Sequence, residues 1–150
     1  PPRSTLSSSS AASDVYKRQA LWNENKNLKF YGPSNPQHVS HSISNYQNNY
    51  SNEISSIEVD AVTLDSILYD LKLNSCDIPL IKLDIEGAEI EVLKRCMDIG
   101  IFPQQILVEF DELNEHKGFD RVTEIDQLLK KNGYIILKTD GAANFLYFMK

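Results

Sequence analysis

Residues 80–99 read LIKLDIEGAEIEVLKRCMDI, and they combine an apolar run, a single glycine and a helical pattern. The first part, Leu80 to Glu86, is typical of a strand, because apolar and charged residues alternate through it. Gly87 interrupts this pattern, and from Ala88 to Ile99 the large apolar residues recur at the three- and four-residue spacing of a helix. The stretch therefore predicts a strand that turns directly into a helix, which is the repeating unit of a parallel α/β sheet.

The sequence on both sides of this unit continues the alternation of strands and helices. Upstream, residues 57–61 alternate as a strand, and either Thr63 or Asp65 can cap the helix that follows. Downstream, the pattern predicts a strand, a helix and two antiparallel strands, at residues 106–109, 119–131, 134–139 and 144–149. We therefore expect an α/β fold whose sheet is mostly parallel, with helices on both faces and a C-terminal antiparallel hairpin.

The amino-terminal segment differs in composition from the rest of the chain. Residues 1–19 contain six serines, and their only large apolar residues are Leu6, Val15 and Tyr16. Such a segment cannot bury enough apolar surface to offset the entropy that ordering it would cost. We expect a disordered, non-native leader at residues 1–19, followed by a partial domain over residues 20–150.

The segment between this leader and the alternating region predicts little regular structure. Residues 20–22 and 28–31 are typical of two short strands, which we expect to form a hairpin around a polar turn. Residues 32–56 are rich in Asn and Ser and predict a long loop. The loop carries His38 and His41 without a third candidate ligand, so we expect solvated histidines there rather than a metal site.

Composition and charge exclude several classes of function. The chain has 15 Lys and Arg against 21 Asp and Glu, and this net charge of -6 argues against nucleic acid or an anionic membrane as the main partner. No apolar run approaches the roughly 18 residues that a membrane-spanning helix needs. The two cysteines, Cys76 and Cys96, are too few for a disulfide framework, so we expect small packed side chains in a cytoplasmic protein.

The glycines are few and scattered. There are six in the chain, and even the closest pair, Gly133 and Gly141, is well separated. A phosphate-binding loop or a dinucleotide fingerprint needs clustered glycines, so neither is present in these residues. A nucleotide-like cofactor would either bind without its usual glycine-rich loop, or the loop would belong to a part of the protein outside this sequence.

The candidate chemistry lies at the carboxyl ends of the predicted parallel strands, where ligands of such sheets bind. Strand alternation would place Lys82, Asp84 and Glu86 on one face, an arrangement that is costly unless the charges are paired or face a cleft. The alternative is structural, with an ion pair between Lys82 and Asp84 and a helix capped by Glu89. Glu109, at the end of the next strand, is a weaker candidate.

Acidic residues also follow that next strand. They are Asp111, Glu112 and Glu115, and we expect them to form a solvated loop.

Three motifs carry a resemblance to a known family. VDAVTLDSIL at residues 59–68, IPLIKLDIEGAEIEVLKR at 78–95 and ILVEFDE at 106–112 resemble the FkbM-type methyltransferases, and KLDIEGAE is the most specific part. The residues from 119 onward are similar to the carboxyl end of that family, and the segment ALWNENKNLKFYGP at 20–33 is similar to the part that precedes these motifs.

The resemblance implies a Rossmann-like class I methyltransferase fold that uses S-adenosylmethionine. The expected reaction is methylation of a hydroxyl oxygen on a sugar or another small metabolite. Lys82, Asp84 and Glu86 match the family motif beside the methyl donor and acceptor, where a carboxylate could take the proton of the acceptor hydroxyl. Asn23 and Glu24 follow a strand whose end neighbours the adenine, which makes them expected cofactor contacts.

The sequence also departs from the family pattern. The amino-terminal strands of the family, with their glycine-rich cofactor loop, have no counterpart here, so we expect an incomplete carboxyl-terminal portion that binds the cofactor weakly and is inactive alone. Two alternatives remain open. One is a non-catalytic binding module on a degenerate Rossmann-like scaffold, and the other is a metal-dependent hydrolase or phosphotransferase with Asp84 and Glu86 as oxygen ligands.

Overall fold

A computed structural model describes residues 19–33, 35, 41–45, 48–51 and 55–150. The predicted leader, apart from Gln19, lies outside the described residues, as do His38 and parts of the predicted loop. The helices and strands, in chain order, are β1 Ala20–Leu21, β2 Lys26–Tyr31, β3 Ser56–Val62, α1 Leu64–Leu71, β4 Leu80–Leu83, α2 Glu89–Asp98, β5 Gln105–Glu109, α3 Gly118–Lys131, β6 Tyr134–Thr139 and β7 Asn144–Met149.

A three-stranded sheet contains β1, β3 and β2 in that order. Strand β3 runs parallel to β1 and antiparallel to β2, so the predicted hairpin of β1 with β2 is wrong. The connection between these two strands instead crosses the end of β3. There the Trp22 N–H donates to the Val62 carbonyl at 2.9 Å, and the Thr63 N–H donates to Asn25 Oδ1 at 2.9 Å.

A four-stranded sheet contains β4, β5, β7 and β6 in that order. Strands β4 and β5, which α2 connects, are parallel as predicted, and β6 and β7 form the predicted antiparallel hairpin. The last strand lies inside the sheet, because β7 also pairs antiparallel with β5. Among the described strands only two of the five pairings are parallel, so the expectation of a mostly parallel sheet is not confirmed.

The predicted helices are present, and the ends of α2 and α3 lie within one residue of the expected positions. Thr63 caps α1, because its hydroxyl accepts a hydrogen bond from the Ser66 N–H at 3.3 Å. Helices α2 and α3 bury their apolar stripes against the four-stranded sheet. The core residues without solvent exposure include Ile90, Ile106, Val108, Ile125, Leu129 and Tyr147.

Cys96 belongs to this core, as predicted, and burial raises the pKa of its thiol to about 11. The side chain of Cys76 lies outside the described part of the chain. No helix in the described ranges is long and apolar enough to cross a membrane.

Strand β4 ends earlier than its alternating sequence predicts. The expected strand continues to Glu86, whereas the observed one stops at Leu83 and α2 begins at Glu89. The backbone turns because Glu86 and Gly87 both adopt positive φ values, of 58° and 97°. The prediction that Lys82, Asp84 and Glu86 share one strand face is therefore wrong, since Asp84 and Glu86 lie beyond the strand.

Candidate functional site

The turn between β4 and α2 is held by the side chain of Glu89. Its Oε1 accepts a hydrogen bond from the Ile85 N–H at 2.6 Å, and its Oε2 accepts one from the Gly87 N–H at 2.9 Å. Glu89 is fully buried, so both of its oxygens are used within the protein. Glu89 therefore has a structural role, but the predicted helix cap is wrong, because its carboxyl group binds N–H groups of the turn before α2 and the N-cap position has no side-chain hydrogen bond.

Lys82 and Asp84 form an ion pair on the surface. Lys82 Nζ lies 2.9 Å from Asp84 Oδ2, and the two side chains are 61% and 42% exposed. Such a pair needs no ligand to neutralise it, and an exposed ion pair contributes at most about 1 kcal/mol to stability. The ion-pair alternative is therefore confirmed for these two residues, and it leaves Glu86 as the carboxylate of the motif without a cationic partner among the salt bridges of the described residues.

Glu86 borders a cavity of about 830 Å³ between the end of β4 and the three-stranded sheet. Its walls combine apolar and acidic side chains, including Leu21, Phe30, Val59, Glu58, Asp60 and Glu86. Cavities that bind small molecules commonly measure roughly 300–1,000 Å³ and are lined in this mixed way. The cavity is therefore large enough for a nucleoside-sized ligand, and its acidic lining favours a cationic group.

Carboxylates that follow β4 and β5 lie near one another, and Glu86 is the one among them that borders the cavity. Asp111 is the most perturbed of them, because burial raises its pKa from 3.8 to about 6, with further repulsion from Glu86, Glu109 and Asp84. Parallel pairing of β4 with β5 explains the clustering, since it brings both carboxyl ends to the same edge. The raised pKa of Asp111 thus follows from its burial and from the neighbouring carboxylates.

The expectation of a solvated acidic loop after β5 is wrong. Glu112 is fully buried, and its Oε1 accepts a hydrogen bond from the Ile90 N–H at 2.9 Å. Glu115 is only 10% exposed and pairs with Arg121 at 2.9 Å. These residues pack inward because the short helical turn after β5 lies against the starts of α2 and α3. The sequence offered one signal, namely that the acids directly follow a buried apolar strand.

Glu89 and Glu112 form a buried carboxyl pair. Loss of hydration raises the pKa of both groups, and repulsion from Glu112 raises that of Glu89 further. Glu112 Oε2 has no hydrogen-bond partner in the described structure. We infer that the pair retains a proton at a pH where exposed carboxylates are ionised.

Asn23 and Glu24 lie in a different cleft from Glu86. This second cleft, of about 490 Å³, lies between the β1–β2 connection and α2. Asn23 Nδ2 donates to Glu91 Oε2 at 3.1 Å, while Asn23 Oδ1 is buried without a partner. Glu24 forms an ion pair with Lys26. The structure does not bring these two residues together with the β4 motif, and their role as cofactor contacts stays a prediction.

No group of three or more His, Cys, Asp or Glu side chains in the described ranges is arranged to hold a metal ion. The proposed pairing of Asp84 and Glu86 as metal ligands therefore lacks a third ligand in this part of the chain.

Comparison with known proteins identifies the family of the chain. The model of the methyltransferase FkbM domain matches residues 3–136, a range that includes the β4 turn, the cavity and the acidic residues after β5. No curated protein and no solved structure matched the chain. The chain therefore belongs to the FkbM methyltransferase domain family.

Proposed function

We propose that this chain acts in S-adenosylmethionine-dependent methylation of a hydroxyl group on a sugar or another small metabolite. The observation that carries the proposal is the position of Glu86, which borders the cavity at the carboxyl end of β4. Membership of the family supports methyl transfer in general. The net charge of -6 favours a small-molecule acceptor over nucleic acid, and the low cysteine content supports action in the cytoplasm.

A Rossmann-like class I arrangement is part of this proposal. The parallel pair β4 and β5, joined by α2, supports it, because such a unit places ligands outside the carboxyl ends of its strands. The acidic edge next to the cavity lies at that position.

The residues of the cavity fit the proposed cofactor in charge and size. S-adenosylmethionine supplies an electrophilic methyl group on a cationic sulfur atom. The carboxylates of Glu58, Asp60 and Glu86 favour a cation in the cavity, and Leu21 and Phe30 provide apolar surface for a ligand. This chemistry would disfavour an acceptor with several negative charges.

The chain's own carboxyl groups would handle the proton of the reaction. Glu86 is the candidate that borders the cavity, so we assign it the removal of the proton from the acceptor hydroxyl as the oxygen is methylated. General-base help of this kind accelerates reactions by roughly 10²–10⁴-fold. We assign Lys82 and Asp84 a structural contribution through their ion pair.

A titration followed by NMR tests the proposal at the level of single residues. We expect S-adenosylmethionine, added up to millimolar concentrations, to shift the amide signals of Leu21, Phe30 and Glu86 in a saturable way. Binding weaker than micromolar is expected because the sequence has no glycine-rich loop, and a dissociation constant of 1 mM still corresponds to about 4 kcal/mol.

The same titration separates the proposal from its alternatives. Shifts confined to the second cleft, at Asn23 and Glu91, would indicate that the cofactor binds there and not beside Glu86. The absence of any saturable shift would contradict cofactor binding by this chain.

A further inference from the structure

The backbone around Glu86 is held by three hydrogen bonds from two side chains. Glu89 accepts from the N–H groups of Ile85 and Gly87, at 2.6 and 2.9 Å. Ser42 Oγ donates to the Glu86 carbonyl at 2.6 Å. Ser42 is 2% exposed and Glu89 is fully buried, so water does not compete for these bonds.

The conformation that these bonds hold is an unfavourable one. Glu86 has a φ of 58°, in the left-handed region that residues with a Cβ atom rarely adopt. Such a conformation persists only where surrounding interactions enforce it, and it is common at ligand sites. The left-handed backbone turns the chain away from β4 at the residue that borders the cavity.

Ser42 also connects this turn to the other wall of the cavity. Its backbone pairs with Tyr31 at the end of β2, through bonds of 2.8 and 3.1 Å. Its hydroxyl oxygen in addition accepts a hydrogen bond from the Ser44 N–H at 3.1 Å. The Ser42 side chain is therefore fixed on the three-stranded sheet side and reaches across to the turn after β4.

We propose that Ser42 and Glu89 are positioning residues, which together hold Glu86 in its left-handed conformation at the edge of the cavity. Glu89 fixes the turn from the side of α2, and Ser42 fixes it from the side of the three-stranded sheet. The proposal deepens the proposed function and rests on it, because Glu86 is the residue assigned to the methyl acceptor. Neither residue needs to touch a ligand for this role.

NMR of the protein without ligand tests the positioning directly. In Ser42→Ala we expect the carbonyl ¹³C signal of Glu86 to move, because its hydrogen bond is lost. In Glu89→Gln we expect amide exchange at Ile85 or Gly87 to accelerate about ten- to a hundredfold, because the amide side chain offers only one oxygen acceptor to the two N–H groups. The core amides of Ile106 and Val108 should remain protected in both variants.

Two exposed residues provide matched controls. Ser56 lies on β3 and Glu124 on α3, and both are exposed, so Ser56→Ala and Glu124→Gln should leave the Glu86 carbonyl and the turn amides unchanged. Unchanged signals in Ser42→Ala and Glu89→Gln would overturn the positioning role. Equal loss of protection in the turn and the core would also overturn it, because the effect would then be general destabilisation. If Glu89→Gln fails to fold, the Ser42→Ala result decides alone.

A ligand titration of the same variants connects the positioning to function. With S-adenosylmethionine as the probe, we expect at least a fivefold higher dissociation constant in Ser42→Ala than in Ser56→Ala. Equal affinities would overturn the functional part of the inference. If wild type does not bind the probe, the proposed function fails, whereas the signals of the ligand-free protein still decide whether Ser42 and Glu89 hold the turn.

Discussion

Two pairs of charged side chains flank the turn after β4, and their surroundings differ sharply. Lys82 and Asp84 are exposed and neutralise each other at 2.9 Å. Glu89 and Glu112 carry the same kind of carboxyl group, but they are fully buried and bind backbone N–H groups. The same type of side chain is therefore buried in one pair and exposed in the other, so the place of each residue in the backbone, and not its residue type, determines its burial.

The surroundings of the two pairs explain how several charged residues are accommodated after β4. The buried pair satisfies backbone donors that would otherwise be lost inside the protein, and the exposed pair needs only water. Glu86 differs from both pairs, because it is half-buried, borders the cavity and has a strained backbone. Substitutions at the two pairs should therefore have effects of very different size.

The largest loss of stability is expected at Gly118, which packs against the backbone of the buried residue Glu112. A Cβ atom at Gly118 would lie 1.7 Å from the Glu112 carbonyl oxygen, so Gly118→Ala must displace the turn that carries Glu112. We expect a loss of about 3 kcal/mol or more in the free energy of unfolding, measured by urea denaturation. In the control Gly141→Ala, the added methyl group meets no atom within 4 Å, and only the cost of its positive φ remains, about 1 kcal/mol. A loss at Gly118 no greater than at Gly141 would contradict the packing.

The next effect concerns the buried carboxyl group itself. Glu89→Ala leaves the N–H groups of Ile85 and Gly87 without their acceptors, and each unsatisfied buried donor costs about 1–3 kcal/mol. We expect a loss of about 2–4 kcal/mol in urea denaturation. The exposed control Glu124→Ala should change stability by less than about 0.5 kcal/mol. Equal losses of stability in Glu89→Ala and Glu124→Ala would contradict the stabilising role of the buried carboxyl group.

The pH dependence of stability should be set by the carboxyl groups whose pKa values are raised by burial. The pKa values of Glu89, Glu112 and Asp111 are all raised in the folded protein, so the folded state binds more protons than the unfolded state as these groups titrate. Stability is then fully present below the unfolded pKa values near 4 and is lost as pH rises through the folded ones.

For Asp111 this loss falls between pH 4 and about 6, and the glutamate pair extends it toward higher pH. We expect the free energy of unfolding to fall by about 2 kcal/mol from pH 4.5 to pH 8, measured in urea at constant ionic strength. A free energy that rises across this range would contradict the buried pair.

The smallest effect is expected at the exposed pair. Lys82→Met removes the partner of Asp84, but water can hydrate the remaining carboxylate. We expect a change within about 0.5 kcal/mol in low salt and no measurable change in 1 M salt, because exposed ion pairs are screened. A loss comparable to that of Glu89→Ala would remove the distinction between the two pairs.

Local patterns predicted the elements, whereas long-range contacts decided their arrangement. The apolar stripe with Ile90, Leu93 and Met97 predicted α2 correctly, because each side chain repeats on one helix face. The insertion of β3 between β1 and β2 could not be predicted, since no sequence period reports which strands pair. Residues close together in the chain suggested a hairpin of β1 with β2. In the structure, Trp22 and Asn25 instead form hydrogen bonds with the residues at the end of β3.

In the candidate site, too, the sequence predicted features that depend on neighbouring residues and missed those that depend on long-range contacts. From residues close together in the chain, the sequence correctly suggested the ion pair of Lys82 with Asp84 and proposed Glu86 as a site residue, which stays a prediction. It missed Ser42, Glu112 and Asp111, because their roles depend on contacts with residues far away in sequence, such as Glu86 and Ile90. An acidic run after a strand has the same composition whether it faces water or the core.

The role of Glu86 at the cavity is tested most directly by the affinity of S-adenosylmethionine for wild type and for Glu86→Gln, followed through the amide signals of Leu21 and Phe30. The exposed variant Glu124→Gln serves as the control for loss of one negative charge. We expect saturable shifts at both residues in wild type and in the control, and at least a fivefold weaker affinity in Glu86→Gln. Equal affinities in all three proteins, or shifts at Asn23 and Glu91 in place of the cavity, would contradict this role of Glu86.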